Sequence, residues 1–328
     1  MFEIQAPHGE KVLVPESLTE DFEYFELSQV DEALKYYKEN GYVVFRKFTS
    51  PLLCDQVRSN FNEEIGPYKG YIYRQTGGNP EKHKVSDSGF IMNPILNVQD
   101  LSSKIASKFK LKSMEILTSQ NVNFFLNRLY GESGKLVQSM YFEGNSATWA
   151  HQDTYYLDSE NLGEMIAGWF AIEDIAPGAG RFFVYPKSHL LLAEKNAGEI
   201  GVAFNHQNYK SYIVDLIAQK KLTIAAPALQ KGDVLFWNSR TIHGSLETKQ
   251  PEFSRSSLTA HFIPDSSRFL QFQSRIKKLN LSQYNQMNVH SPKNADKLRQ
   301  KIILKIETSF PRAFQAAKWT AVKLLVTK

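Results

Sequence analysis

The chain has 328 residues, 42% hydrophobic and 22% charged, which places it among folded globular proteins and excludes disorder and coiled coil. Its formal charge of +5 is unevenly placed: residues 265–328 hold 13 basic and 3 acidic side chains, leaving 26 basic and 31 acidic in the first 264. The mildly acidic body therefore offers no continuous groove for nucleic acid.

A single cysteine, Cys54, excludes an internal disulfide and a zinc knuckle, and fits a reducing compartment. Met1 to Leu18 mixes Glu3, His8, Glu10, Lys11 and Glu16 among apolar residues, unlike a signal peptide. No run approaches the roughly 18 apolar residues of a membrane span. These features point to a cytoplasmic protein.

In chain order, Ser28 before Val30, Ala33, Leu34 and Tyr37, with a stop at Gly41, predicts a capped amphipathic helix. Tyr42 to Phe45 reads as a strand, and Ser50-Pro51 opens a second helix that ends near Gly66. A third helix is expected from about Asp100 to Lys110. From there the texture changes to short apolar runs: Val122–Leu126, Leu136–Phe142, Met165–Ile172, Phe182–Tyr185, Leu222–Ala225, Val234–Trp237 and Ser256–Ile263. Broken by Gly-Asn, Pro-Gly and Lys-Gly-Asp turns, they predict a β-sandwich or barrel. After Pro264 the pattern returns to helix, over Pro292–Glu307 and Pro311–Val326. One main domain, 1–264 with its β-core over about 120–264, is thus followed by a basic helical extension, 265–328, packed on the core. For that extension a solvated basic face is weighed against a site for an anionic carrier or a membrane surface.

Chemistry concentrates in His151-Gln152-Asp153 and in His243, 90 residues beyond Asp153. In a strand, His151 and Asp153 project from one face, and a third donor from His243 would complete a facial triad. Two imidazoles and a carboxylate suit a divalent iron centre, because three positions stay open. Arg255, 12 residues past His243, opens the last predicted strand and can hold a carboxylate in a bidentate fork. Without that anion its burial is costly. His261 either faces the pocket or is a hydrogen-bonded core histidine. His189 and Arg240 read as structural, Arg181 as structural or as a contact to an anionic substrate, and Asn238 as a support of the His243 strand. Tyr71 to Asn79 is either a substrate lid or an ordinary surface loop. Strand alternation puts Tyr155 on the metal face, unless the chain bends after Asp153.

With these residues in place, the chain resembles the phytanoyl-CoA dioxygenase family of non-haem iron, 2-oxoglutarate-dependent oxygenases. The resemblance runs from about Val30 to Pro264. It includes Gly41-Tyr42-Val43-Val44-Phe45-Arg46, the His-Gln-Asp core, Ala167-Gly168-Trp169-Phe170-Ala171, the stretch from Gly180-Arg181-Phe182 to Pro186-Lys187-Ser188-His189, and Gly232-Asp233 ahead of His243. It implies an α+β, mainly β fold: a double-stranded β-helix, jelly-roll or cupin-like, with flanking N-terminal and C-terminal helices. It also implies that His151, Asp153 and His243 ligate Fe(II), and that Arg255 and Ser245 hold the distal carboxylate of 2-oxoglutarate. Trp169 would lie beside this cosubstrate, with Gln138 a further contact, and the family pattern singles out Tyr156.

The His243–Arg255 interval is one residue longer than the family spacing, which puts an insertion in the turn through Gln250-Pro251-Glu252. Trp149, two places before His151, is expected to point away from the metal. Related halogenases carry a small residue where this chain has Asp153, so the carboxylate favours hydroxylation, desaturation or cyclisation. The expected reaction is hydroxylation of an unactivated C–H bond of a small molecule, with dioxygen consumed and succinate and CO2 released, in secondary-metabolite biosynthesis. The alternatives are a non-catalytic β-helix scaffold, an oxygenase of acyl-CoA or carrier-bound substrates, and a nucleic-acid oxygenase.

Overall fold

The computed structural model describes residues 2–17, 22–191, 206–273 and 275–326. A hairpin of β1 (Phe2–Gln5) and β2 (Lys11–Val14) precedes α1 (Val30–Asn40), whose buried stripe is Val30, Ala33, Leu34 and Tyr37. The predicted Ser28 cap is not used. Instead a 3-10 turn over Leu27–Gln29 leads into the helix, with Gln29 Oε1 accepting the Glu26 N–H at 2.9 Å. Gly41 ends α1 at φ 78°, a conformation that favours glycine. Its carbonyl accepts the Asn238 N–H and the Thr241 hydroxyl, which ties the helix end to the loop ahead of His243. His189 supports the same end through Lys38 O, so its predicted structural role holds.

Next come β3 (Tyr42–Phe45), α2 (Pro51–Asn60) with Pro51 in its first turn, β4 (Ile72–Tyr73), β5 (Pro80–Glu81) and β6 (Ile95–Leu96). The third helix, α3 (Ser103–Leu117), begins later and runs further than expected. Val122–Leu126 is not a strand but the heart of α4 (Gln120–Tyr130). Ser119 caps it by accepting the Val122 N–H, Gly131 closes it at φ 74°, and Val122, Phe125 and Leu126 form its buried face.

The β-core then follows: β7 (Gly134–Phe142), β8 (Leu157–Ser159), β9 (Ile166–Ala171), β10 (Phe182–Val184), β11 (Val234–Asn238), β12 (His243–Ser245) and β13 (Ser257–Pro264). Between β10 and β11 lies an unpredicted helix, α5 (His206–Lys220). Leu222–Ala225 contributes one bridge, Ala225 to Val184, rather than a strand. Past Pro264 the chain first adds β14 (Phe269–Gln271), β15 (Arg275–Ile276), β16 (Leu281–Tyr284) and β17 (Met287–His290). Only then come α6 (Leu298–Ser309) and α7 (Pro311–Val326).

The central eight-stranded sheet has the order β16-β17-β7-β13-β9-β11-β3, with β6 also on β7. Its pairings are antiparallel except β17 on β7. One face, with Phe45, Tyr141, Phe170, Phe236, Leu258 and Ala260, packs on the helices; the Phe125 ring of α4 lies 4.4 Å from that of Phe236. The other face presents Tyr42, Trp169, Leu235 and Trp237 to Phe182 and Val184 of the smaller β10–β12 sheet. Two sheets closed face to face give the predominantly β, jelly-roll core expected from the sequence, with helices outside.

A methyl group on Gly41 would meet the His189 ring and the Thr241 hydroxyl at a positive φ. Gly41→Ala is expected to cost about 1–3 kcal/mol, read as a lower urea midpoint with an unchanged slope.

Candidate metal centre

His151 and His243 form an antiparallel bridge in which each main chain donates to the other, His151 N–H to His243 O at 3.0 Å and His243 N–H to His151 O at 2.9 Å. Residues paired in this way project to the same side, and the two imidazole centroids stand 4.3 Å apart. The chain does not continue as a strand. It turns at once into a 3-10 turn, Asp153–Tyr155, which brings the carboxylate beneath both rings. Asp153 Oδ1 lies 3.7 Å from His151 Nε2 and 3.6 Å from His243 Nε2, and the three donor atoms fall within 4.8 Å of one another.

Hydrogen bonds set the tautomers. His151 Nδ1 is 2.8 Å from Trp149 O, and His243 Nδ1 is 2.9 Å from Thr241 O. A carbonyl only accepts, so each Nδ1 donates to it and each Nε2 faces Asp153 Oδ1. The other carboxylate oxygen is occupied: Oδ2 accepts the Trp237 Nε1–H at 2.9 Å and lies 3.4 Å from His261 Nε2. Burial alone would raise the Asp153 pKa, but His243, His261 and His151 together hold it well below the usual carboxylate range. Burial pushes His243 down to about 3, so its imidazole stays neutral near pH 7. Two Nε2 donors and one carboxylate oxygen, converging from one side, fit a divalent cation with open positions.

Arg255 is 2% exposed, and burial pushes its guanidinium down to about 9. Its head lies 5.3 Å from the Phe142 ring and 5.7 Å from the Trp169 ring, and its buried Nε has no hydrogen-bond partner among the described residues. The orphaned groups continue along the same strand face: Ser257 Oγ, Thr259 Oγ1 and His261 Nδ1 are also buried without partners among the described residues. Trp169 pairs with Thr259 on this face, and half-buried Gln138 pairs with His261. Ser245 is buried beside His243 and accepts the Thr148 N–H at 2.7 Å. Four unsatisfied polar groups in a row are costly unless a polar ligand meets them.

The 3-10 turn also decides between the tyrosines. Tyr155 stacks on Tyr209 at 3.5 Å in a separate core, while the Tyr156 ring lies 6.0 Å from His151 and its hydroxyl meets His206. Trp149 is 39% exposed beneath the Lys210 ammonium and points outward. Asn238 donates to Gly163 O and the Tyr37 hydroxyl, and Arg181 to the carbonyls of Pro15 and Ile175, so both are structural. The candidate lid is a tied hairpin: β4 pairs β5, and the buried Tyr73 hydroxyl donates to Glu307. A cavity of about 340 Å³ behind it, lined by Tyr68, Tyr71, Leu101 and Leu304, shares no residue with the triad.

The role of Trp237 as carboxylate anchor, and those of Ser257 and Thr259 on the pocket face, went unread in the sequence. The available signal was polar residues at every second position from Arg255 to His261. Trp237→Phe keeps the ring and removes the donor to Asp153. Its divalent-metal affinity, titrated calorimetrically with Mn(II), is expected to fall about 10–100-fold at unchanged circular dichroism.

Comparison with known proteins gives the family and related folds. Residues 37–256 match the family model for phytanoyl-CoA dioxygenase (PhyH). Peroxisomal phytanoyl-CoA dioxygenase of Bos taurus is 22% identical over 255 residues, covering 74% of this chain and 71% of that protein. Its Homo sapiens namesake is 24% identical over 256 residues, covering 73% and 70%. Among solved structures, the epimerase SnoN in complex with Fe3+, alpha ketoglutarate and nogalamycin RO shares the fold at TM-score 0.53 and 16% identity, over 75% of this chain and 87% of that one. The non-heme alpha ketoglutarate dependent carbocyclase SnoK aligns at TM-score 0.51 and 16% identity, over 78% and 89%. With the family model matching more than half of its length, the chain belongs to the phytanoyl-CoA dioxygenase (PhyH) family.

Proposed function

We propose that this protein is an Fe(II)- and 2-oxoglutarate-dependent dioxygenase that hydroxylates an unactivated C–H bond of a small molecule in secondary-metabolite biosynthesis. The observation that carries the reading is Arg255, a buried guanidinium with an unpartnered Nε, set on the same sheet face that carries His261 to Asp153. A dianion long enough to reach from the metal to Arg255 satisfies both ends. His151, Asp153 and His243 hold the iron, which when bound supplies dioxygen activation coupled to decarboxylation of the keto acid. Arg255 and Ser245 take the distal carboxylate, Trp169 closes over the cosubstrate, and Gln138 lies across from His261.

Trp237 holds Asp153 Oδ2 so that Oδ1 alone is presented, while the aromatic walls from Trp169, Phe182 and Trp237 keep water from the pocket. The balance is one C–H bond, dioxygen and 2-oxoglutarate giving C–OH, succinate and CO2. The Asp153 carboxylate fills the position that a halide would need.

Succinate formation with ferrous iron, assayed with and without candidate substrates, is expected from the wild type and lost at least about a hundredfold in His151→Ala. Equal turnover by the two proteins would sink the assignment. Product mass then separates oxygen insertion from loss of two hydrogens.

Arg255→Leu separates binding from chemistry. Removing an uncompensated buried charge is expected to raise the melting temperature of the ligand-free protein and to abolish the gain that 2-oxoglutarate gives the wild type. A 2-oxoglutarate-dependent gain retained by the variant would place the distal carboxylate elsewhere.

A further inference from the structure

The metal centre makes no use of the C-terminal charge. On α6 the residues divide cleanly by face. Gln300, Ile303, Leu304, Glu307 and Thr308 turn toward the body, where Gln300 donates to the Tyr73 hydroxyl at 3.0 Å and that hydroxyl donates to Glu307 at 2.8 Å. The outward face is Leu298, Arg299, Lys301, Ile302, Lys305 and Ile306, continued by Phe310.

Its apolar members are large and open to solvent: Leu298 is 73% exposed, Ile302 52%, Ile306 47% and Phe310 66%. They recur at every fourth position, so they form one continuous stripe along the helix. A face meant for water alone would carry polar residues at these positions. At 100° per residue, Lys301 and Lys305 flank the stripe on one side and Arg299 on the other. The single acid between Lys297 and Lys328 is Glu307, which is buried against Tyr73, so the outward face has no counter-charge of its own. The sequence of α7 adds Arg312, Lys318 and Lys323 and no acid.

We propose that α6 is a membrane-surface helix that docks the protein on an anionic lipid bilayer. Leu298, Ile302, Ile306 and Phe310 enter the boundary between headgroups and acyl chains, and Arg299, Lys301 and Lys305 meet the lipid anions. Charge decides the occupant. Two copies of this cationic face repel one another, whereas an anionic bilayer complements apolar stripe and flanking cations together. No helix of the described residues is long and apolar enough to cross a membrane, and the arrangement is peripheral.

The test is flotation of the full chain with vesicles of phosphatidylcholine alone or with about a third phosphatidylserine. Binding is expected only to the anionic vesicles and is expected to weaken at high salt. It is expected to fall roughly tenfold or more in Ile302→Ser/Ile306→Ser and in Lys301→Glu/Lys305→Glu. These side chains are exposed, so melting temperatures stay as in the wild type. Leu111→Ser, an equally exposed apolar position on α3, leaves binding unchanged. Absence of vesicle binding, equal binding to neutral vesicles, or binding unaffected by both double variants overturns the proposal. So does stripe-dependent self-association in analytical ultracentrifugation without lipid.

Discussion

The exchange of two main-chain hydrogen bonds between His151 and His243 is the constraint around which the site is arranged. It joins positions 92 residues apart and leaves the two imidazoles little freedom except to face the same point. Each ring is then pinned by a carbonyl two residues before it, Trp149 for one and Thr241 for the other, so donor orientation follows from backbone alone. The short turn at Asp153 supplies the third donor, and Trp237 prevents the carboxylate from rotating away. The direction of the three candidate donors thus follows from one backbone bridge and one short turn.

The strand β13 serves two interiors at once. Leu258, Ala260 and Phe262 enter the core shared with the helices, while Ser257, Thr259 and His261 line the opposite face. The helix side is satisfied by packing. The other side is left with polar atoms that no group among the described residues satisfies, and this asymmetry marks it as the candidate ligand face.

Much of this was legible in residue order. The His-X-Asp spacing, the distant His243 and the later Arg255 carried the donor set, and the glycine at 41 carried the end of the first helix. The misreadings have physical causes. Val122–Leu126 is a short apolar run that suits strand or helix equally, and the deciding signals, Ser119 and Gly131, lie outside it. The α5 helix shows its period in Tyr209, Ile213, Leu216 and Ile217, a signal that the strand-like texture on both sides of it masks. The strands β14 to β17 are too short to carry a pattern, and β17 acquires its role by lying parallel to β7, a tertiary fact. Trp237 looked like one more apolar strand residue because its indole N–H has meaning only once Asp153 is beside it.

The position of β3 has a consequence for how the chain reaches this structure. It is an edge strand of the central sheet, yet its partner is β11, with Phe45 opposite Val234, 189 residues later. All four residues of β3 are buried in the finished protein, and apart from the local bridge of Phe25 to Phe45 the strand has no ladder partner among the described residues until β11 is made. Loop closure over such a distance is slow and entropically unfavourable. The neighbouring α1, with its local contacts and its own C-terminal cap, packs directly on that strand and is placed to cover it. The N-terminal helix in this sense covers the edge of the sheet whose Trp237 donates to Asp153.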